Sequence, residues 1–161
     1  MKDREQARRT RGLKRIFNKI LGCFAERSFF LPGSLRVKLH KLRGVNFKKS
    51  SSCFIGRNVY LDDMRPDLIT IGEGVFITNG AKILTHFLDG RNRSPDKGEY
   101  FDFYFGKVTI EDNVFIGSGA IITKPVSIGS GAIIGANAVI SKDVPENAIM
   151  IGNPATNVSK K

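Results

Sequence analysis

The chain has 161 residues, about the length of one domain with its own hydrophobic core. It contains 26 Lys and Arg against 15 Asp and Glu, a formal net charge of +11. The two cysteines, Cys23 and Cys53, lack the spacing of a metal or redox motif and indicate a reducing, cytoplasmic environment. The most apolar N-terminal stretch, residues 16–24, is interrupted by Asn18 and Lys19. Because it is too short to cross a bilayer and has no convincing cleavage site, we expect no secretion signal.

The positive charge is concentrated near the N-terminus. Residues 1–49 contain 15 Lys and Arg against 3 Asp and Glu, a balance of +12. Residues 50–161 contain 11 Lys and Arg against 12 Asp and Glu, a balance of −1. The sequence therefore predicts a basic arm, residues 1–44, in front of a near-neutral domain, residues 45–161.

The arm is predicted to be helical. In the segment 15–30, five apolar residues fall on one face of a helix, with basic residues beside them. That face contains Ile16, Phe17, Ile20, Leu21 and Phe24. Pro32 and Gly33 end this helix, and a second short helix is expected through Leu42, before Gly44.

An aliphatic residue returns at every sixth position in the second half of the chain: Ile110, Ile116, Ile122, Ile128, Ile134 and Ile140. The fourth residue after each of these isoleucines is Val or Ala, and the third residue after each is mostly Gly, Asn or Asp. A period of six differs from helical and from simple strand periodicity, and it is typical of hexapeptide repeats that build parallel β-helices. Three hexads make a coil of 18 residues, which predicts Ile128 over Ile110 and Ile134 over Ile116.

The same pattern continues upstream. It predicts a regular coil at residues 71–83 and a less regular one at residues 55–61. After Ile83 the register is lost for 27 residues, and we place one extruded loop at about residues 87–107. A long loop in a compact repeat fold is usually functional or disordered. The second helix of the arm is expected to cap the open end of the coils.

His86 is the candidate catalytic residue. It takes the third position after Ile83, where the other hexads carry Gly, Asn or Asp, so we place it at an outer corner at the root of the loop. A neutral imidazole is the usual general base for a hydroxyl group. A histidine here can also be a turn residue with positive φ, but that role does not explain its coincidence with the long loop.

The other polar residues predict no metal site. The second histidine, His40, lies in the arm, so the chain does not supply a three-histidine zinc site. Asp62, Asp63 and Asp67 form a cluster typical of solvated loop carboxylates, although one of them can orient His86 or bind a sugar hydroxyl. Neither Ser nor Cys forms a recognisable pair with the histidine, which disfavours a covalent nucleophile.

Over about residues 45–158 the sequence resembles the hexapeptide-repeat O-acetyltransferases. The resemblance lies in the run ITIGEGVFITNGAKILTH, the loop after it, the repeats with SKDVP, and the closing GNPA, in that order. The most similar branch contains the galactoside, maltose and nodulation-factor acetyltransferases and their polysaccharide-modifying relatives. The resemblance implies an all-β fold, a left-handed parallel β-helix, and a homotrimer with acetyl-CoA bound along the coils between subunits.

The resemblance also implies roles for individual residues. His86 corresponds to the catalytic base. Ser118 and Ala136 fall where the family's coils meet the pantetheine arm, largely through backbone groups. Ser141 and Lys142 fall where the adenosine and phosphate end of acetyl-CoA is held.

The acceptor side and the C-terminus complete this assignment. Asn58 matches a family asparagine near the acceptor, and its residue type is also typical of a turn. Asp62, in the same irregular segment, is assigned to acceptor binding. Thr156 and Asn157 stand where many relatives carry a basic residue, so a further phosphate contact is assigned to Lys160.

Together these features predict an O-acetyltransferase that uses acetyl-CoA as co-substrate, requires no metal, and acetylates a carbohydrate hydroxyl. The pathway expected from the resemblance is surface polysaccharide or glycolipid biosynthesis. Two alternatives stay open: an N-acyltransferase acting on a nucleotide-linked amino sugar, and a catalytically inert repeat scaffold.

The basic arm has three candidate partners: the coils, nucleic acid and a membrane. No recognised nucleic-acid motif accompanies the charge, so we expect no nucleic-acid partner. Cations beside an apolar helix face are typical of a peptide that lies on an anionic bilayer. We therefore expect residues 1–28 to contact the inner face of the cytoplasmic membrane peripherally, with packing alone as the alternative.

Overall fold

The computed structural model describes residues 13–89 and 102–159. Two helices, α1 (Leu13–Arg27) and α2 (Gly33–Leu42), precede a prism of short strands. The prism is a left-handed parallel β-helix. The predicted fold class, with its helical arm in front of the coils, is therefore confirmed.

Within the described residues, three parallel sheets form the sides of the prism. The first sheet contains β1 (Asn46–Phe47), β4 (Ile69–Ile71), β9 (Val108–Ile110) and β12 (Ser127–Ile128). The second contains β2 (Phe54–Ile55), β5 (Phe76–Ile77), β10 (Phe115–Ile116), β13 (Ile133–Ile134) and β15 (Ile149–Ile151), with β16 (Thr156–Asn157) added antiparallel at its end. The third contains β3 (Tyr60–Leu61), β6 (Lys82–Ile83), β11 (Ile121–Ile122) and β14 (Val139–Ile140).

The register of the coils follows the hexad pattern. Ile128 pairs with Ile110, and Ile134 pairs with Ile116, as the sequence predicts. These side chains are fully buried, because each two-residue strand directs one side chain into the prism and the other outward. Stacked aliphatic side chains on the prism axis therefore form the core.

The corners of the prism depend on residues that tolerate positive φ. Asn113 and Asn137 have φ of 57° and 56°, and Gly119 and Gly131 have φ of 70°. Gly and Asn adopt this left-handed conformation more readily than other residues. This explains why they recur at the third position of the hexads.

The predicted loop at residues 87–107 is not a loop at its base. There β7 (His86–Asp89) pairs antiparallel with β8 (Asp102–Phe105), which places Phe87 opposite Tyr104 with ring centroids 5.3 Å apart. The rest of the predicted loop, residues 90–101, lies outside the described residues. The insertion therefore leaves the prism as a β-hairpin whose ring contacts stiffen its stem.

Two buried arginines hold the arm in place: Arg36 joins α2 to α1, and Arg43 joins the arm to the first coil. Arg36 donates to the carbonyl oxygens of Ala25 and Ser28 at the end of α1. Arg43 donates to the carbonyl oxygen of Leu61 in β3. Carbonyls at a helix C-terminus have no intrahelical donor, so the Arg36 guanidinium satisfies groups that burial would otherwise leave unpaired.

Helix α2 packs on the first coil, which agrees with the expected cap. Val37 is buried in the same cluster as the coil isoleucines. Leu35 and Leu42 are not part of the cap, because they are 38% and 70% exposed. Among the described residues, no helix combines the length and the apolar character needed to cross a membrane.

Candidate active site

His86 begins strand β7, where the chain leaves the corner between the third and first sheets. The described non-glycine residues with positive φ are all asparagines: Asn58, Asn113, Asn137 and Asn147. The structure therefore excludes the turn role for His86, since this histidine has an extended backbone. Of the two roles that the sequence allows for His86, turn residue and catalytic base, the catalytic one remains.

Asp62 lies directly behind His86. The distance between His86 Nδ1 and Asp62 Oδ2 is 2.6 Å. The same oxygen accepts hydrogen bonds from the backbone N–H groups of Thr85, at 2.7 Å, and of His86, at 3.1 Å. Asp62 Oδ1 accepts from the backbone N–H of Met64 at 2.9 Å. The chain itself thus fixes both oxygens of the carboxylate.

Asp62 is fully buried yet ionised. Burial opposes its charge, but hydrogen bonds from the backbone of Thr85 and Met64 and from the His86 side chain outweigh burial and hold the pKa of Asp62 below its usual value. An ionised carboxylate has no proton to share, so Nδ1 of His86 carries the hydrogen of the short contact. When the imidazole is neutral, Nε2 is therefore an acceptor. The pair has the geometry of a general base held by a carboxylate.

The hairpin stem forms the outer side of this corner. The rings of His86 and Phe103 lie 6.3 Å apart, and the His86 side chain stays 28% exposed. Lys124 Nζ donates to Tyr104 Oη at 3.2 Å, and the Arg65 guanidinium lies over the ring of Phe105 at 5.9 Å. Cations on the prism therefore hold the stem beside the histidine while leaving the imidazole accessible.

Ser118 and Ala136 lie at a different corner from His86. Their turns connect the second sheet to the third, whereas His86 follows the third sheet. The backbone N–H of Asn137 donates to the Ser118 carbonyl at 2.8 Å, so the two turns stack. The Ser118 hydroxyl donates to Thr78 Oγ1 at 3.2 Å in the coil below. Within one chain, the third sheet separates the predicted pantetheine residues from the histidine.

Ser141 and Lys142 follow β14, so they share the corner of His86, and both are exposed. Lys160 lies outside the described residues. Asn58 occupies a turn at the Ser118 corner, with φ of 54°, and its backbone N–H donates to the Glu26 carbonyl at 2.9 Å. Of the predicted site residues that the structure describes, Asp62 thus contacts His86, Ser141 and Lys142 lie at the same corner in another coil, and Asn58, Ser118 and Ala136 lie at a different corner.

The placement of Asp62 bears on its assigned role. Its full burial and its four hydrogen bonds favour the orienting role over contact with an acceptor. The sequence offered both roles for the aspartate cluster. The coil register distinguishes them, because Leu61 pairs with Ile83 and so places Asp62 next to the segment that leads to His86.

A cavity between α1 and the first coil was not predicted. It has a volume of about 210 Å³ and is lined by Lys19, Gly22, Cys23, Glu26, Arg27, Tyr60 and Asp63. Tyr60 Oη donates to Asp63 Oδ1 at 2.9 Å, and burial raises the pKa of Glu26 to about 7. No motif signals this cavity, since it exists only where the arm meets the coil.

A second unpredicted feature is the pair of buried side chains His40 and Arg43. Arg43 Nε donates to His40 Nδ1 at 3.0 Å. Burial, followed by the charges of Arg43 and Arg36, lowers the pKa of His40 to about 3. In the part of the chain that the structure describes, no group of three or more His, Cys, Asp and Glu side chains is placed to hold a metal ion.

Comparison with known proteins extends these observations. Residues 107–142 match the family model described as bacterial transferase hexapeptide (six repeats). The chain is 32% identical over 117 residues to galactoside O-acetyltransferase of Escherichia coli K12, a match that covers 68% of this chain and 55% of that protein. It is 38% identical over 112 residues to serine acetyltransferase of Buchnera aphidicola, covering 68% of this chain and 37% of that protein. The chain thus spans about half the length, or less, of these relatives.

A solved structure has the same fold. It is a hexapeptide-repeat acetyltransferase of Vibrio cholerae in complex with acetyl coenzyme A. The TM-score is 0.65 at 20% identity, and the match covers 91% of this chain and 86% of that one. At this identity the likeness establishes the shared fold.

Proposed function

We propose that this chain, which belongs to the hexapeptide-repeat transferase family, is an O-acetyltransferase that moves an acetyl group from acetyl-CoA to a carbohydrate hydroxyl. The observation that carries the proposal is the contact of 2.6 Å between His86 Nδ1 and Asp62 Oδ2, which leaves Nε2 as a base at an exposed corner. A repeat scaffold without catalytic activity would not require the pair of His86 and Asp62.

The proposed reaction has two proton transfers through one atom. His86 Nε2 takes the proton of the acceptor hydroxyl as its oxygen attacks the thioester carbonyl carbon of acetyl-CoA. The carbon–sulfur bond then breaks, and the imidazolium returns its proton to the departing CoA thiolate. Throughout, the negative charge of Asp62 stabilises the imidazolium and holds the ring in one orientation.

The tetrahedral intermediate carries an oxyanion that needs hydrogen-bond donors. We assign this role to backbone N–H groups near Ser118, and the CoA contacts to Ala136, Ser141 and Lys142. One chain does not bring Ser118 to His86, because the third sheet lies between their corners. The proposed site therefore combines the His86 corner of one subunit with the Ser118 corner of its neighbour.

An apolar ladder on the second sheet supports such an oligomer. Its outward side chains are Phe54, Phe76, Phe115, Ile133 and Ile149. The rings of Phe54 and Phe76 stack at 4.2 Å, and Phe115 continues the stack at 6.1 Å from Phe76. The outer positions of the first sheet are polar instead, for example Thr109 and Ser127. We propose that the ladder packs against other copies in a homotrimer, since surfaces of this kind mark interfaces.

The proposed acceptor is a sugar hydroxyl of a surface polysaccharide or glycolipid. Similarity to galactoside O-acetyltransferase supports the sugar, and similarity to serine acetyltransferase makes a small hydroxyl amino acid the necessary comparison. The hydroxyl acceptor is preferred over an amine, because a neutral imidazole matches the task of deprotonating a hydroxyl.

The test is an acceptor screen that measures release of free CoA. The protein is incubated with acetyl-CoA and with galactosides, maltose-type sugars, serine or nucleotide-linked amino sugars. The proposal expects CoA release with a sugar bearing free hydroxyls and none with His86→Ala. Release of CoA only with serine, or only with the nucleotide-linked amino sugar, would show that the acceptor is not a sugar hydroxyl. If acetyl-CoA does not raise the melting temperature of the chain, the scaffold alternative is correct.

A further inference from the structure

Helix α1 presents an apolar stripe to solvent. Ile16, Phe17, Ile20 and Phe24 are 56%, 55%, 62% and 55% exposed. Ile16, Ile20 and Phe24 follow each other at intervals of four residues, so their side chains form one row along the helix. We call these four residues the α1 stripe. An apolar row of this length on a surface marks a site of interaction.

The stripe is exposed because α1 packs through its opposite side. Asn18 is 7% exposed, Ala25 is fully buried, and Gly22 lies against the Arg43 guanidinium. At 100° per residue these three residues lie on the side of the helix opposite the stripe. Arg36 of α2 and the backbone N–H of Asn58 in the first coil both donate to carbonyls at the end of α1. The orientation of α1 is therefore set by contacts that leave its most hydrophobic side chains uncovered.

Two further exposed aromatic residues follow the end of α1. Phe29 and Phe30 are 70% and 90% exposed, with their rings in an edge contact at 5.5 Å. The Arg57 guanidinium lies 4.8 Å above the ring of Phe29. An exposed aromatic pair beside a cation is a combination suited to a surface that is both apolar and anionic.

Charge selects among the possible partners. The sequence around the stripe is basic, with 9 Lys and Arg against 3 Asp and Glu in residues 1–28. Within α1 the acidic residue is Glu26, which lines the cavity on the packed side of the helix together with Lys19 and Arg27. Two such arms facing each other repel, which disfavours a second copy as the partner of the stripe. An anionic surface attracts them.

We propose that α1 lies flat on an anionic lipid bilayer, with the α1 stripe inserted at the level of the headgroups and the net positive charge of the arm attracted to the lipid phosphates. A bilayer interface accepts apolar side chains and cations from the same helix. Nucleic acid offers phosphates without an apolar layer to receive Phe17 and Phe24.

The test is sedimentation of the full chain with vesicles. One set contains phosphatidylcholine alone, and the other contains phosphatidylcholine mixed with phosphatidylglycerol. We expect binding to the anionic vesicles, a decrease as salt is added, and little binding to neutral ones. No binding to anionic vesicles at low salt, or equal binding to both sets, would overturn the proposal.

Two variants locate the contact. F17S/F24S removes two rings of the stripe and should reduce the bound fraction at least ~10-fold, because each ring contributes insertion free energy. The matched control is L88S/V158S, which alters two side chains that are 45% and 46% exposed and lie outside α1 and the ladder, and it should bind like the wild type. Wild-type binding by F17S/F24S would overturn the proposal.

Two controls test the other possible partners of the α1 stripe, nucleic acid and a second copy of the chain. Nuclease treatment before sedimentation should leave binding unchanged, and its loss would assign the arm to nucleic acid. Sedimentation velocity should give the same oligomeric state for F17S/F24S and the wild type. A change there would assign the stripe to a contact between copies, and equal melting temperatures establish that the variant is folded.

Discussion

The imidazole of His86 is held by the carboxylate of Asp62, 24 residues earlier, through a contact of 2.6 Å between Nδ1 and Oδ2. The contact exists because Leu61 and Ile83 are stacked in the third sheet, so that the residues after them leave the prism side by side. A buried, ionised carboxylate behind an exposed imidazole defines which nitrogen carries the proton. Two of the predictions below follow from this pair.

Replacement of His86 tests the base directly. His86→Ala should fold and bind acetyl-CoA, yet lose at least ~10²-fold in turnover, because no other group at the corner is assigned to take the hydroxyl proton. His86→Asn keeps a polar side chain there and should lose a similar factor. Steady-state kinetics measure both, and a rate near that of the wild type in either variant contradicts the mechanism.

Replacement of Asp62 tests positioning. Asp62→Asn removes the negative charge and presents an amide to the N–H groups of Thr85 and His86, so the imidazole loses its fixed orientation and tautomer. We expect kcat to fall by ~10²–10⁴-fold with a smaller change in the KM for acetyl-CoA. Loss of stability with normal kcat would make Asp62 a structural residue only.

Gly117 tests the spacing between coils. A Cβ at this position would lie 2.6 Å from the backbone nitrogen of Ala136 in the next coil, and backbone atoms in a stacked coil have little room to move. Gly117→Ala should destabilise the fold by about 1–3 kcal/mol, seen as a lower midpoint in urea. The neighbouring change Ser118→Ala, at an exposed side chain, should stay within about 0.5 kcal/mol of the wild type.

His40 predicts a pH dependence of stability. Burial, together with Arg43 and Arg36, lowers the pKa of His40 to about 3 in the folded chain, whereas an exposed histidine titrates near 6.5. As the pH falls below 6.5, the unfolded chain binds a proton that the folded chain does not, so folding loses stability. Between pH 6.5 and 5 the loss is about 2 kcal/mol, at roughly 1.4 kcal/mol per pH unit.

The measurement compares wild type with His40→Gln in urea unfolding at pH 7 and pH 5. Glu26 acts in the opposite direction, because burial raises its pKa to about 7 and the folded chain binds that proton first as the pH falls. Both proteins contain Glu26, so its effect cancels in the difference. The variant should gain about 2 kcal/mol relative to wild type on acidification. An unchanged difference would show that His40 titrates normally in the folded chain.

The sequence predicted the coils accurately because the residues that determine each strand and turn lie within one hexad. The aliphatic residue, the small residue and the Gly or Asn corner act within six positions, and Ile128 over Ile110 follows by counting. The hairpin of His86–Asp89 and Asp102–Phe105 was missed because its pairing joins residues far apart and has no hexad register. The aromatic residues in the predicted loop were the available signal, since aromatic residues favour strands.

His86 could be singled out from the sequence as the candidate base, because it takes a position where the other hexads carry Gly, Asn or Asp, at the start of an insertion. Its partner was identifiable only as a member of an aspartate cluster. Asp62, rather than Asp63, is buried against the imidazole because alternate residues after β3 point to opposite sides of the chain, and only the assembled coils show which side is which. Asn58 shows the reverse case, since its residue type already indicated the turn that it forms.

By itself, the sequence determined the prism, the arm, the position of the candidate base and the concentration of charge near the N-terminus, since each depends on residue type and short spacing. The tertiary structure alone decided three relations: the Asp62–His86 contact, the separation of Ser118 from His86 by a sheet, and the outward orientation of the α1 stripe. Each depends on how elements distant in the chain pack together. An amphipathic helix can bury either its apolar or its polar side, and here the buried guanidinium groups of Arg36 and Arg43 decide the choice.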